Sequence, residues 1–367
     1  MPKNRIILTL VMALAIPLVA WAQDPPAPLE ALPGADVAAK PKAAPEAPPT
    51  PAEATIDEAV KKIQAITTVS ADLNVTADMI NQKFGLKGQY IKAPGHKFYM
   101  LLSLVGLGDT RGTMLQVCDG VTLWDFTRVL DSQRCERWGF NLILKVLNRP
   151  DCDASLRETV LSRLGFTGPE ALLSGLRKAF VFDQMREGEF DGKPVWILGG
   201  TWRDGVAPVM PSGPNGAPLN LNGGPIPPYV PSLVSVYLGR EDGWPYQVIF
   251  EGRKPTQIET GKKKAETKLD GLGRPISKKL VTPAGEPSKI VMVYSNVKLN
   301  AVIPDSTFAF SPPDDVKPED LTDSTVAQLE QAITELANRK RAEAAKTEGP
   351  VLDGSLPVPV PPAEAPK

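Results

Sequence analysis

Residues 117–126 read VCDGVTLWDF, with an Asp-Gly pair between two apolar runs. Asp119-Gly120 predicts a tight hairpin, a two-residue type I′ turn with positive φ at both central positions. Along the strand that follows, Val121 and Leu123 point one way and Thr122, Trp124 and Phe126 the other, because side chains alternate between the faces of a sheet. Large apolar groups therefore stand on both faces. One face packs into an ordinary core; the other needs a different cover.

The pattern continues on both sides of this hairpin. Leu73, Val75, Ala77 and Met79 alternate with Asp72, Asn74, Thr76 and Asp78, and Phe84, Leu86, Gly88 and Tyr90 carry the alternation into a second strand. KFYMLLSL at 97–104, TMLQVC at 113–118, VTLWDF at 121–126 and SQRCERW at 132–138 complete a six-stranded meander. Over 140–180 the period becomes helical, in FNLILKVLN, DASLRETVLSRLG and GPEALLSGLRKAF. Asp153 and Thr167 or Gly168 serve as caps there, and Gly165 as a stop. Strands return at 180–190, turn through Asp191-Gly192, and recur in VWILGGTW, LVSVYLG, YQVIFEG and KIVMVYSNV. Upstream, Thr55 and Glu58 stand at capping-box spacing before a helix of about 56–67 whose face is Ile56, Ala59, Val60, Ile63 and Ile66. A last amphipathic helix over 322–346 carries Val326, Leu329, Ile333 and Leu336 at spacings of three and four.

These elements predict a mainly β, α+β fold: a single strongly curved, incomplete antiparallel β-barrel of about 11 strands. A sheet that wide curls, and the helices between its halves fall across its concave side as a lid over an apolar cavity.

Of the 38 prolines, 23 lie in three segments, 23–54, 204–232 and 347–367. Such stretches bury too little apolar surface to offset the entropy of ordering. They are expected to be a disordered linker, an insertion and a disordered tail around a domain of 55–321 and the helix of 322–346. At the N-terminus, Lys3 and Arg5 precede IILTLVMALAIPLVAWA and the small-x-small pattern Ala20-Trp21-Ala22, the layout of a signal peptide at 1–22 that directs export. The alternative is an uncleaved membrane anchor, since 17 mostly apolar residues are near the lower limit for spanning a bilayer.

A formal net charge of −1 gives no electrostatic case for nucleic acid or an anionic membrane surface, and Lys262–Lys264 and Arg339–Arg341 read as solvated faces. In an exported protein, Cys135 and Cys152 are candidates for a disulfide across 16 intervening residues, which loop closure would credit with roughly 3 kcal/mol. Cys118 reads as a small buried hydrophobe. The cysteine spacing matches no metal motif, and the only histidine, His96, lies in the polar turn APGHK with no triad around it. GGPIPP follows no strand-to-helix transition and so cradles no phosphate. The residues point to a non-enzymatic protein without cofactor or metal.

DGVTLWDF at 119–126 resembles a hallmark hairpin of the LolA/LolB-like periplasmic lipoprotein-carrier superfamily, the outer-membrane lipoprotein-sorting proteins. GQYIKAPGHKFYM at 88–100 and STFAFSPPDDV at 306–316 are similar to two further segments of that family, in the same order. The resemblance spans roughly 55–320. It implies an open curved sheet with a helical lid, a periplasmic location, and acyl chains of lipoproteins as cargo. An exposed chain of about 15 methylenes costs on the order of 12 kcal/mol in water, so its transport needs an apolar container. The family's carriers place an arginine, linked to holding the lid shut, directly before the proline of the second segment; here that position is Ala93, preceded by Lys92.

Leu73, Val75, Met79, Phe84, Leu86, Tyr90, Phe98 and Met100 are read either as the cavity lining or as plain core. Trp124 and Phe126 are placed on the cavity wall, because the alternate face of their strand already supplies core residues. Met79, Met100 and Met185 would give an adaptable lining. Two functions follow. One is a monomeric carrier or sensor of lipoprotein acyl chains or another lipid. The other is an envelope scaffold or stress-sensing module whose cavity is filled by its own side chains, and whose proline-rich arms and C-terminal helix bind an envelope protein.

Overall fold

The computed structural model describes residues 48–79, 82–106, 112–166, 168–203, 230–254 and 287–347. The signal peptide at 1–22, the linker to 47, Thr167, the insertion from 204 to 229 and the tail from 348 lie outside the described residues. The six-stranded meander forms as β1 (Val69–Met79), β2 (Gln82–Ala93), β3 (Lys97–Val105), β4 (Gly112–Asp119), β5 (Thr122–Val129) and β6 (Ser132–Gly139). The second half is β7 (Phe180–Phe190), β8 (Lys193–Trp202), β9 (Pro231–Gly239), β10 (Pro245–Gly252) and β11 (Lys289–Leu299). A two-residue strand, β12 (Glu319–Asp320), adds to β6 in parallel, one strand beyond the expected number. All twelve make one open curved sheet, ordered β12-β6-β5-β4-β3-β2-β1-β11-β10-β9-β8-β7. β1 and β11 join the two halves at its centre, with Leu73 opposite Tyr294 on one side and Gly88 on the other.

The turns separate two kinds of Asp-Gly. At Asp191-Gly192 both residues take positive φ, 50° and 73°, the type I′ pattern between paired Phe190 and Lys193. At Asp119-Gly120 only Gly120 does, at 93°. The loop pair is instead Gly120-Val121, with positive φ at the first residue alone as in a type II′ turn. The Asp119 carboxylate accepts from the backbone N–H groups of Val121 and Thr122 and holds this shape. The Gly120 backbone lies so close to the neighbouring turn that a Cβ there would stand 2.6 Å from the Gly95 oxygen.

Four helices cover one face of the sheet, termed here the inner face. Helix α1 (Pro51–Ala65) starts five residues earlier than the sequence pattern suggests, because its capping box is Thr50 with Glu53 rather than Thr55 with Glu58. It buries Ile56, Ala59 and Ile63. Helix α2 (Phe140–Leu147) buries Phe140, Ile143 and Leu147, and α3 (Ala154–Arg163) is capped by Asp153 as expected. Helix α4 (Pro169–Ala179) buries Leu172, Leu173 and Leu176. The C-terminal helix α5 (Thr322–Thr347) packs against α2 through Val326, Leu329 and Ile333. The stripe, expected to dock on the protein's own sheet or on a partner helix, packs on a helix of the chain itself.

The hairpin's second face has a different cover. Leu123 faces α2 with Phe98 and Cys118, whereas Trp124 and Phe126 point outward onto Phe310, at ring distances of 5.7 and 6.1 Å. Beside it, the 3-10 turn Asp305–Phe308 buries Phe308 completely against β3 and β4. The STFAF segment is therefore the outer cover of the sheet, and Trp124 and Phe126 do not look under the helices. The reason is register: Leu123 pairs with Cys118, and side chains at 124 and 126 must fall on the opposite face.

The expected bridge between Cys135 and Cys152 is absent: Cys118, Cys135 and Cys152 are free, buried thiols. Cys135 pairs with Phe126 and shares its outer face, while Cys152 packs with the helices on the inner one, so the sheet lies between them. Burial holds the Cys118 thiol near 12, far from the reactive thiolate.

Two measurements check this description. Thiol titration of the unfolded, unreduced protein should give three thiols; one would restore the bridge. Gly120→Ala should cost about 2 kcal/mol in urea unfolding, through positive φ and the clash with Gly95, and an unchanged midpoint would refute the turn geometry.

Candidate functional site

The inner face is apolar through most of the sheet because of the pairing register. Val75 faces Leu86 and Ala77 faces Phe84 across β1 and β2, and Tyr90 faces Met100 and Leu86 faces Leu104 across β2 and β3. Of the residues expected to line a cavity, Leu73, Met79, Leu86 and Tyr90 are buried in the larger cluster with α1 and α4, and Val75 and Phe84 are half-buried against it. Phe98 belongs to the second cluster, beneath α2. Met100 touches both clusters and marks the seam between them. Trp124 and Phe126 are not part of this surface. His96 is exposed in its turn at φ 60°, its ring 5.7 Å from Phe140.

The cover is fastened to the sheet by charge at its margins. At the N-terminal end of α4, the Lys92 ammonium of β2 donates to Glu170 Oε1 at 2.5 Å. Lys92 stands two residues from Tyr90 on the same strand and so points inward with it. A cation one place before Ala93 thus reaches from β2 to the start of α4. Glu170 folds back over its own N-cap, and a Cβ on Gly168 would stand 2.2 Å from Oε2. A Cβ at 168 would displace the Glu170 carboxylate rather than strain the backbone, since the Gly168 φ is −95°. Burial first, and then the negative charge of Glu170, push the Tyr90 and Tyr294 phenols well above their ordinary range, so both stay protonated and neutral.

The other end of α4 is held more tightly. Glu53, its side chain 6% exposed, accepts from Arg177 of α4 at 3.0 Å and from Arg203 after β8 at 2.5 Å. Its second oxygen accepts from the Thr50 N–H, and the Thr50 hydroxyl donates to the Phe182 carbonyl. One carboxylate therefore links the start of α1, the end of α4 and the end of β8. Sequence reading missed Glu53, Glu170, Arg177 and Arg203. The Thr50-x-x-Glu53 spacing was a usable signal for the first. The ion pairs themselves join residues 78, 124 and 150 positions apart and leave no local trace.

Among the described residues no group of three or more His, Cys, Asp or Glu is placed to hold a metal, and no helix is long and apolar enough to cross a membrane.

No family model and no curated protein matches the chain. Solved structures do. A DUF1329 family protein from Desulfovibrio piger is 12% identical over 71% of this chain and 97% of its own, with a TM-score of 0.27. A LolA superfamily protein from Nitrosomonas europaea is 12% identical over the same shares, with a TM-score of 0.24. LprF from Mycobacterium bovis is 10% identical over 70% of this chain and 96% of its own, with a TM-score of 0.33. The LolA superfamily is the one that the sequence motifs resemble.

Glu53→Gln should destabilise the fold by about 3 kcal/mol, because it takes the counter-charge from Arg203 and leaves Arg177 only Asp57, at 3.6 Å; a loss under about 1 kcal/mol would remove the clamp. Gly168→Ala should displace the Glu170 carboxylate and speed amide exchange in α4 without altering exchange in β1 and β11. Equal exchange in the variant and wild type would show that Glu170 does not fasten α4.

Proposed function

We propose that the chain is a periplasmic binding or carrier protein that holds an acyl chain, of a lipoprotein or of another lipid, between the inner face and the helices α1 and α4. One observation carries this reading. Sheet and cover are two separate apolar surfaces joined at their margins by ion pairs, which can open without breaking the backbone ladder of the sheet. The cost of parting them is exposed apolar surface, and a hydrocarbon chain entering the gap restores burial at about 0.8 kcal/mol per methylene. The ion pair at Lys92 is partly exposed, with side chains at 35% and 18%, so it opens at a lower cost than the buried clamp at Glu53. The cover thus hinges at its Glu53 end and lifts at its Glu170 end. The neutral phenols of Tyr90 and Tyr294 keep charge away from the hydrocarbon. The role in this reading is binding.

The scaffold alternative loses one of its supports, since α5 packs its apolar stripe on α2. The test is displacement of a fluorescent fatty acid from the full chain. Met100→Trp, at the seam of the two clusters, should weaken binding about tenfold by filling space, and Trp124→Ala and Phe126→Ala on the outer face should leave it unchanged. A wild-type protein that takes up no fatty acid, and that leaves its native envelope with a bound polypeptide in native mass spectrometry, would replace the carrier with the scaffold.

A further inference from the structure

The face of the sheet turned away from the helices carries a groove of about 560 Å³ over β11, β1 and β2. The pairing register builds it. Val291, Thr76, Gly85 and Val105 stand opposite one another in a row across β11, β1, β2 and β3, while their neighbours Ala77 and Leu86 pack under the helices, so the row lies on the outer face. Gly85 has no side chain and leaves a hollow between Thr76 and Val105; a Cβ there would stand 3.1 Å from Val105 Cγ2. The segment with Phe308 and Phe310 covers this face at β3 to β5, and none of its residues lines the groove. Val105 and Val291 make the walls apolar, and the volume is that of a small-molecule site.

Three lysines stand around the hollow. Lys83 and Lys87 flank Gly85 on β2, about 13 Å apart at Cα, and Lys289 lies about 10 Å from Lys83, across Asp78 of β1. Lys83 meets Asp78 at 3.1 Å and Lys289 meets Glu251 at 2.8 Å, with lysine side chains 83% and 53% exposed. Pairs so exposed are weak, and both ammonium groups can turn to a stronger anion. Lys87 makes no ion pair among the described residues. Asn74, which lines the same groove, has a buried Oδ1 without a hydrogen-bond partner among the described residues. The chain's net charge of −1 averages out this local gathering of cations.

We propose that the groove is a binding site for a small organic phosphate. Each part of the lining selects part of that ligand. A phosphate dianion over Gly85 draws in Lys83, Lys87 and Lys289, each a point charge on a long flexible stem. The organic part lies on Val105 and Val291, and an O–H or N–H of the ligand gives Asn74 Oδ1 the donor that the protein does not supply. A carboxylate brings half the charge to the same three lysines. A cation finds only Asp78 in the lining, already paired with Lys83. A soluble phosphate ester and a phospholipid head share this chemistry. The site is independent of the carrier reading, because the sheet separates it from the acyl chain under the helices.

The test is isothermal titration of the full chain at low salt with phenyl phosphate, benzoate and benzylamine, together with co-sedimentation with phosphatidylcholine vesicles with and without phosphatidic acid. Phenyl phosphate should bind, less tightly as salt rises, and benzylamine should not. Lys87→Gln should weaken phenyl phosphate about tenfold, the loss of one charge-assisted contact. Thr76→Trp, which sets a ring in the hollow, should abolish binding. Both positions are exposed, so the urea midpoint should stay at the wild-type value. If Thr76→Trp does not fold, Lys83→Gln with Lys289→Gln takes its place. Sedimentation only with the phosphatidic acid vesicles, lost in the same variants, assigns the phosphate to a lipid head; binding of phenyl phosphate without sedimentation assigns it to a soluble ester. A wild-type protein that binds neither overturns the site, as does binding that Lys87→Gln and Thr76→Trp leave unchanged. Benzoate as tight as phenyl phosphate overturns the assignment to a phosphate.

Discussion

The structure depends on one constraint: a wide sheet whose inner face is apolar over most of its width must be covered, and the cover is held at its edges. Helices α1 and α4 bury Ile56, Ile63, Leu172 and Leu176 on that face, and every neighbouring feature serves to keep them there. The Thr50–Glu53 capping box sets where α1 begins. The same Glu53 then draws in Arg177 and Arg203, so helix initiation and lid attachment are one arrangement of charge. Without it Arg203 would lose its counter-charge and Arg177 would keep only Asp57, at 3.6 Å, in a partly dry surrounding.

The two ends of α4 are held differently. Glu53 is almost wholly enclosed and answers two guanidinium groups, whereas Glu170 answers a single ammonium that water also reaches. A planar guanidinium keeps its geometry with a carboxylate better than a flexible ammonium does. Gly168 keeps the weaker end in place by leaving room for the carboxylate, which makes that end sensitive to one methyl group. The outer face is the counterpart. There Phe308 and Phe310 close β3 to β5 with side chains of the same chain.

Much of this architecture was legible in the sequence. The alternation through Leu73, Val75 and Met79, and its continuation through Phe84, Leu86 and Tyr90, specifies both a strand and the face it buries, because a period of two admits one assignment. The helices of 140–180 announced themselves by period and by Asp153, Gly165 and Gly168. Trp124 and Phe126 were harder. Pattern alone showed that both faces of β5 are apolar, without saying which was roofed by helices and which by Phe310, since the covering residues lie more than 180 positions away. The cysteines were misjudged for a related reason: spacing along the chain permits a bridge that the thickness of a sheet forbids.

What the sequence determined by itself is therefore local: where strands and helices run, and which residues share a face. The tertiary structure decided which face became the interior, which helix end is firmly clamped, and that Lys83, Lys87 and Lys289 gather on the outer face beside one groove. Periodicity and capping act between residues a few positions apart and so are written in order along the chain. Ion pairs such as Lys92 with Glu170 arise from the curvature of the whole sheet, which brings distant segments within reach of one another only after folding.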